Sequence, residues 1–279
     1  MTITEKRALF RKLHESGCFV LPNPWDIGSA LYLQHLGFKA IASSSAGFAF
    51  SRGLPDNAVP RDVMLAHLRE LVESTDIPVN ADFENGFAHE PADLAENVRL
   101  CLETGVAGLS IEDSTGDKAK PLYALDQAVA RMKAARAAID GAGGDVILVG
   151  RAECFLVGRG DLAEVVRRLQ AYAEAGADCL YAPGIRTREE IRTVVQAVAP
   201  KPVNLLISAP GGLTIPEAAA LGVRRVSVGG ALARAAWGGF LRAARPLAEE
   251  GAFDGFAGAA PHGELNDFFL ADGPRLFER

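Results

Sequence analysis

Four times along the chain a helix-like stretch ends in glycine and a short apolar run follows within a few residues: LGFKAIASSS, TGVAGLSIED, AGADCLYAPG and LGVRRVSVGG. Gly37, Gly105, Gly176 and Gly222 suit the left-handed position just past a helix end, so each segment reads as helix, tight turn, strand. A second pattern interleaves, with IPVNADF and KPVNLLI each placing Pro just before a strand. CFVLPN near residue 20 and DVILVGRAE near residue 150 complete a count of eight strands. The intervening segments carry helical periodicity. In EPADLAENVRLCLETG, Leu94, Val98, Cys101 and Leu102 fall on one stripe. Thr187 with Glu190 and Thr214 with Glu217 have capping-box spacing, and Pro216 sits in a first helical turn. Eight strands alternating with helices predict one (β/α)8 TIM barrel over residues 1–279, with 1–17 as an N-terminal helix and 250–279 as a C-terminal helical tail. The rival is an open doubly wound sheet, weakened because no G-x-G-x-x-G or Walker loop follows a strand.

The 279 residues are 49% hydrophobic and 23% charged, enough to bury a sizeable core. A net charge of −6 without a dense Lys/Arg block argues against a nucleic-acid surface. Cys18, Cys101, Cys154 and Cys179 are scattered, which disfavours zinc fingers and disulfide scaffolds. The charged start MTITEKRALFRKLHESG is no secretory signal, and no apolar run suits a membrane span, so the expectation is a cytoplasmic protein. The tail carries Phe253, Phe256, Phe268 and Phe269, more aromatic surface than a closing helix needs. It packs either across a subunit boundary or back on its own barrel.

Barrel chemistry sits at the C-terminal ends of strands. With alternation, Asn80, Asp82 and Glu84 share one face, Ser110 and Glu112 another, and Val149, Arg151 and Glu153 a third. If those faces point inward, Asp82, Glu84, Glu112 and Arg151 converge at one mouth. Grouped carboxylates repel unless a cation compensates, and a hard divalent ion takes oxygen ligands while keeping several waters. Arg151 then offers a planar fork to a substrate carboxylate. The plainer alternative is that Asp82 and Glu84 form salt bridges at the rim. The histidines His14, His35, His67, His89 and His262 have no nucleophile signature nearby.

The ordered segments LPNPWDIGSA, ASSSAGFAFSRGLPD, ADFENGF, LSIEDS, VGRAE and LGVRRVSVGG resemble the isocitrate lyase/phosphoenolpyruvate mutase superfamily, in its mutase-like branch, over almost the whole chain. The resemblance implies a barrel, a Mg²⁺ site (Mn²⁺ as the substitute) for an α-oxocarboxylate, and a homodimer or homotetramer that exchanges its C-terminal helix. It implies that Asp82 lies nearest the metal, with Glu84 reaching it directly or through water, and that Asp56 and Glu112 are further metal-site acids. It places Ser44, Ser45 and Ala46 at the oxoacid's carboxylate and carbonyl oxygens and makes Arg151 the substrate-gripping arginine. Trp25 and Asp26 match a pocket-lining NPWD, although Trp25 suits the core equally, and Asn204 could face the pocket from the seventh strand.

One segment departs from the lyases of that family. Their Lys-Lys/Arg-Cys-Gly-His loop is replaced by EDSTGDKAKPLYALD, without Cys or His. Lys118 stands about where the mutase and phosphonopyruvate hydrolase branches keep a lysine, while their Asn or Thr position reads Lys120. Cys154 reads as a small buried hydrophobe. The expectation is therefore a Mg²⁺-dependent lyase or decarboxylase for an α-oxo or 2-hydroxy di- or tricarboxylate, with Arg151, Glu112 and Lys118 in catalytic roles. The alternatives are an oxoacid-binding protein without turnover, a phosphonate enzyme, and a phosphate-binding barrel using Gly229 and Gly230.

Overall fold

The computed structural model describes residues 1–159 and 161–272. Its strands are β1 (Phe19–Leu21), β2 (Ile41–Ala42), β3 (Val79–Asp82), β4 (Gly108–Glu112), β5 (Ile147–Arg151), β6 (Cys179–Tyr181), β7 (Val203–Leu206) and β8 (Arg225–Ser227). The helices are α1 (Ile3–Leu13), α2 (Ile27–His35), α3 (Ser45–Ser51), α4 (Arg61–Ser74), α5 (Pro91–Leu102), α6 (Leu125–Gly141), α7 (Leu162–Glu174), α8 (Arg188–Val198), α9 (Ile215–Ala220), α10 (Ala231–Glu250) and α11 (His262–Asp272). From β2 to β8 each strand pairs in parallel with the next in sequence, and β1 pairs with β8, Phe19 opposite Arg225. An open doubly wound sheet would leave β1 and β8 apart. Ala42 N–H donates to the Pro22 carbonyl at 3.0 Å, so β2 also meets β1 and the sheet is a nearly closed TIM barrel.

The four helix-ending glycines hold φ of +87°, +88°, +103° and +88°, the left-handed backbone that returns the chain toward the barrel. Stripe residues fill the layer between sheet and helices. Leu94, Val98, Cys101 and Leu102 of α5 join Leu68, Leu71, Leu109 and Ile111 there. A second cluster occupies the barrel's inside, with Leu21, Ala42, Val149 and Cys179 stacked on Phe10 of α1.

α1 closes the N-terminal end of the barrel. Lys6 donates to the carbonyls of Val72, at 2.8 Å, and Thr75, and Arg7 donates to Leu102 and Val106 at 3.0 and 3.1 Å. These cations satisfy carbonyls that the ends of α4 and α5 leave unpaired. Phe10 enters because β4 begins with a glycine: a Cβ at Gly108 would lie 2.6 Å from the Phe10 ring and 2.7 Å from Asn80 Oδ1.

The tail is less enclosed. Ala233 is the buried residue of α10, whereas Trp237, Phe240, Leu241 and Leu247 are exposed. After a 3-10 turn at Asp254–Gly258, α11 packs on α2 of the same chain, Phe268 meeting Tyr32 and His35 at 5.1 Å between ring centroids. The last seven residues of the expected tail, 273–279, lie outside the described residues. Among the described residues no helix is long and apolar enough to cross a membrane.

Two buried histidines make stability depend on pH. His14 Nδ1–H donates to the Phe10 carbonyl at 2.8 Å, which leaves Nε2 to accept from Arg225 at 3.3 Å. Burial, then the charge of Arg225, pushes His14 down to about 3, and burial pushes His67 down to about 4. Both stay neutral in the fold at pH values where the unfolded chain takes up their protons. Stability is therefore unaffected above the unfolded value of 6.5 and falls as pH drops below it, by up to about 1.4 kcal/mol per pH unit for each imidazole. Urea unfolding between pH 7 and 4.5 should show this slope, and His67→Asn should remove part of it; an unchanged slope in that variant would contradict the assignment.

Candidate active site

Residues opposite one another in parallel strands point to the same side of the sheet. The register runs Glu112, Arg151, Tyr181, Asn204, Arg225 and Phe19 across β4, β5, β6, β7, β8 and β1. Because barrel strands are sheared, such a row descends as it circles. It starts among the carboxylates of the C-terminal mouth and ends on Phe19, beside Phe10 and His14 of α1. Arg151, Tyr181, Asn204 and Arg225 of this row border a cavity of about 370 Å³ whose wall also includes Asn23, Ser44, Asp56, Asp82, Ser227 and Arg234.

Arg151 is the centre of charge at the mouth. Its Nε donates to Glu153 Oε1 at 2.5 Å, and its Nη1 lies 3.1 Å from Asp82 Oδ1 and 3.2 Å from Glu112 Oε2. The guanidinium also sits over the Tyr181 ring at 5.2 Å. Burial works against this charge, yet Glu153 and Glu112 hold its pKa well above the ordinary arginine value. Burial, set against Arg151, raises Glu112 and Glu153. Glu84 is different. It takes left-handed backbone at φ +49°, its carboxyl is buried, and Oε1 has no hydrogen-bond partner. Burial, then Asp82 and Asp56, pushes Glu84 up to about 8. At the rim the Asp56 carboxyl is raised by loss of water and then by Asp82.

Local hydrogen bonds fix Asp82. Its Oδ2 accepts from Ser45 N–H at 3.0 Å and Ser45 Oγ–H at 2.8 Å, while its own N–H donates to Ser43 Oγ at 2.8 Å. Ser44 caps α3 through Gly47 N–H, and Asn23 accepts from Val228 and Gly229 N–H at 3.0 and 2.8 Å. The loops after β1, β2, β3 and β8 are thereby tied together around the mouth.

Of the residues singled out from sequence, Ser44, Ser45, Ala46, Asp56, Asp82, Arg151 and Asn204 line the cavity. Glu84 and Glu112 are buried beside it. Asn204 is sealed in the wall, accepting from Arg225 Nε at 2.8 Å and donating to Ser227 Oγ at 2.9 Å. Trp25 is half-buried outside the lining, packed toward Gly47, because β1 ends at Leu21 and its inward alternation stops at Asn23. Lys118 is exposed and also outside the lining; its loop closes on itself through a bridge between Ser114 and Leu122. Arg151, expected as a free fork for substrate, is occupied by three carboxylates. Cys154 is buried, as its position on β5's exit suggests. Sequence reasoning put Glu153 on the face of Arg151 without giving it a role, and it passed over Tyr181, Arg225 and Arg234, which carried no usable signal.

The sequence profile of the phosphoenolpyruvate phosphomutase family matches residues 10–248. A Burkholderia cenocepacia protein described as a lyase/mutase superposes with a TM-score of 0.93 at 48% identity, over 98% of this chain and 99% of that one. The oxaloacetate decarboxylase of Paraburkholderia xenovorans is 31% identical over 80% of this chain and 74% of its own length. Oxaloacetate acetylhydrolase, solved with its product oxalate, has a TM-score of 0.85 at 26% identity, covering 99% and 98% of the two chains.

Removing the central guanidinium should be costly, because it strands three carboxylates that face one another. Arg151→Met is expected to lose about 3–5 kcal/mol of unfolding free energy in urea at pH 7. A loss below about 1 kcal/mol would mean that the acids find their compensation elsewhere.

Proposed function

This chain belongs to the phosphoenolpyruvate phosphomutase family, within the isocitrate lyase/phosphoenolpyruvate mutase superfamily, and is an enzyme of lyase type; on that footing we propose that it is a Mg²⁺-dependent lyase or decarboxylase acting on a 2-oxo or 2-hydroxy dicarboxylate. The observation that carries the reading is the charge imbalance at the mouth. Asp56, Asp82, Glu84, Glu112 and Glu153 gather around one guanidinium, and one buried oxygen of Glu84 has no partner. That donor set suits a hard divalent cation. Among the described residues no three His, Cys, Asp or Glu side chains form a preformed cage, so the fit is to an ion held by few protein oxygens. Asp82 and Glu84 would hold it, with Asp56 and Glu112 in the surrounding shell. Bound there, the ion would act as a Lewis acid toward the substrate's carboxylate and carbonyl oxygens.

The chain's own groups do the rest. Ser43 and Ser45 fix the carboxylate plane of Asp82. The Ser44–Ala46 turn borders the space next to Asp82, where the oxoacid head group would lie. Arg151, kept cationic by its acids, faces that space and stabilises negative charge developing on the carbonyl oxygen as the neighbouring bond breaks. Glu112 and Glu153 orient Arg151, and Tyr181 supports its plane. The exposed apolar side chains of α10 support a homodimer or homotetramer in which the tail, α11 on α2, is exchanged between subunits.

Asp82→Ala should retain the fold by circular dichroism and lose Mg²⁺-dependent oxalate binding in calorimetry, as should the unaltered protein in EDTA. Oxalate affinity surviving either change would overturn the metal reading. Turnover tested with oxaloacetate, phosphonopyruvate, isocitrate and 2-alkylmalates identifies the bond broken. For the assembly, light scattering should report a dimer or tetramer that Trp237→Asp with Phe240→Asp converts to monomer.

A further inference from the structure

The chain leaves β3 through left-handed backbone: Glu84 at φ +49°, Gly86 at +74° and Phe87 at +55°. Gly86 adopts this freely, and a Cβ there would run into Leu94. For Glu84 and Phe87 the conformation is strained, and such strain persists only where the surroundings impose it. The turn satisfies little of its own backbone. Gly86 N–H donates to the Phe83 carbonyl at 2.8 Å, but the carbonyls from Glu84 to His89 need donors from elsewhere in the fold.

Two buried side chains supply most of them. Arg131 of α6 is 1% exposed; its Nη1 donates to the carbonyls of Ala88 and His89, both at 2.6 Å, and its Nη2 donates to the carbonyl of Asn85. Asn97 of α5 donates through Nδ2 to the carbonyls of Gly86 at 2.8 Å and Phe87 at 3.3 Å, while its Oδ1 accepts from Arg61 at 2.9 Å. The Glu84 carbonyl accepts from Glu112 N–H at 3.0 Å. Every carbonyl from Glu84 to His89 thus has a donor. Among the described residues Arg131 has no salt-bridge partner; it lies 4.2 Å from the centre of the Tyr123 ring, whose hydroxyl bonds His89 Nδ1 at 2.6 Å. Burying a guanidinium without a counter-ion is costly, and here all of its hydrogen bonds go to this one turn.

We propose that Arg131 and Asn97 are positioning residues for the cation site: by holding the carbonyls of residues 85–89 they keep Glu84 in its left-handed turn, with its carboxyl buried beside Asp82 and one oxygen unpartnered. Neither lines the cavity, so neither acts on a ligand directly. Without these donors the turn relaxes toward ordinary backbone, which swings the Glu84 side chain away from Asp82. This deepens the proposed function and rests on it, since it takes Glu84 as a holder of the ion.

The test is calorimetric Mg²⁺ binding by the full chain in the presence of oxalate, run as a double-mutant cycle with Glu84→Gln. Arg131→Met should weaken Mg²⁺ by about tenfold or more, and Arg131→Lys should recover part of that loss. In the Glu84→Gln background Arg131→Met should change the affinity by less than about twofold, because the group it positions is already gone. A purely structural Arg131 would give losses that multiply in the double variant, and that result overturns the inference. So does an unchanged affinity in either single variant. Asn97→Ala goes through the same cycle and decides the case if Arg131→Met does not fold. If Glu84→Gln leaves no binding to measure, recovery by Arg131→Lys decides, and its absence overturns the inference. If the unaltered protein binds no Mg²⁺ with oxalate, the proposed function itself fails and this inference with it.

Discussion

The mouth of this barrel depends on one cation surrounded by acids. Arg151 meets Glu153, Asp82 and Glu112 within 3.2 Å, and each of those carboxylates comes from a different place: the exit of its own strand, the end of β3 and the end of β4. A buried guanidinium is costly without partners, and so is each buried carboxylate. Together they hold three strand ends at fixed separation. Tyr181 adds a fourth strand by lying under the guanidinium plane. The same arrangement leaves Glu84 outside the compensation, buried next to Asp82 and Asp56 with an unpartnered oxygen.

Barrel geometry explains why these groups meet. The register row from Glu112 to Phe19 visits six strands and descends from the charged mouth to the apolar end closed by α1. Along it the environment changes from ionic through amide to aromatic. Arg225, Asn204 and Ser227 form the middle stage, where a cation is held by neutral acceptors. Charge thus remains on the cavity wall at the mouth, where Arg151 stands among its acids.

Much of this was legible before any coordinates. The helix–glycine–strand repeat located four of the eight strands, because each glycine answers a local steric demand that neighbouring sequence cannot evade. Period-two alternation sorted Asp82, Glu112 and Arg151 onto definite strand faces, since strand geometry is local as well, and closure of the barrel decided that those faces meet. Lys118 and Trp25 were less tractable. Their neighbourhoods depend on how a loop folds over a strand end, and a strand pattern cannot be extended past the last ladder residue. Arg234 was invisible for a related reason: it lies in an Ala-rich helical stretch, and its place over the cavity comes from Ala233 meeting Gly47.

The sequence alone determined the barrel, which residues share a strand face and the acidic character of the strand ends. These follow from steric and periodic rules acting over a few residues. Only the tertiary structure decided which charges neutralise which. Arg151 looked available for substrate and instead has its Nε and Nη1 engaged by three acids, while it still lines the cavity. Pairing depends on distances of a few ångströms between residues as far apart in sequence as Asp82 and Arg151, set by closure of the sheet and the shear of its register.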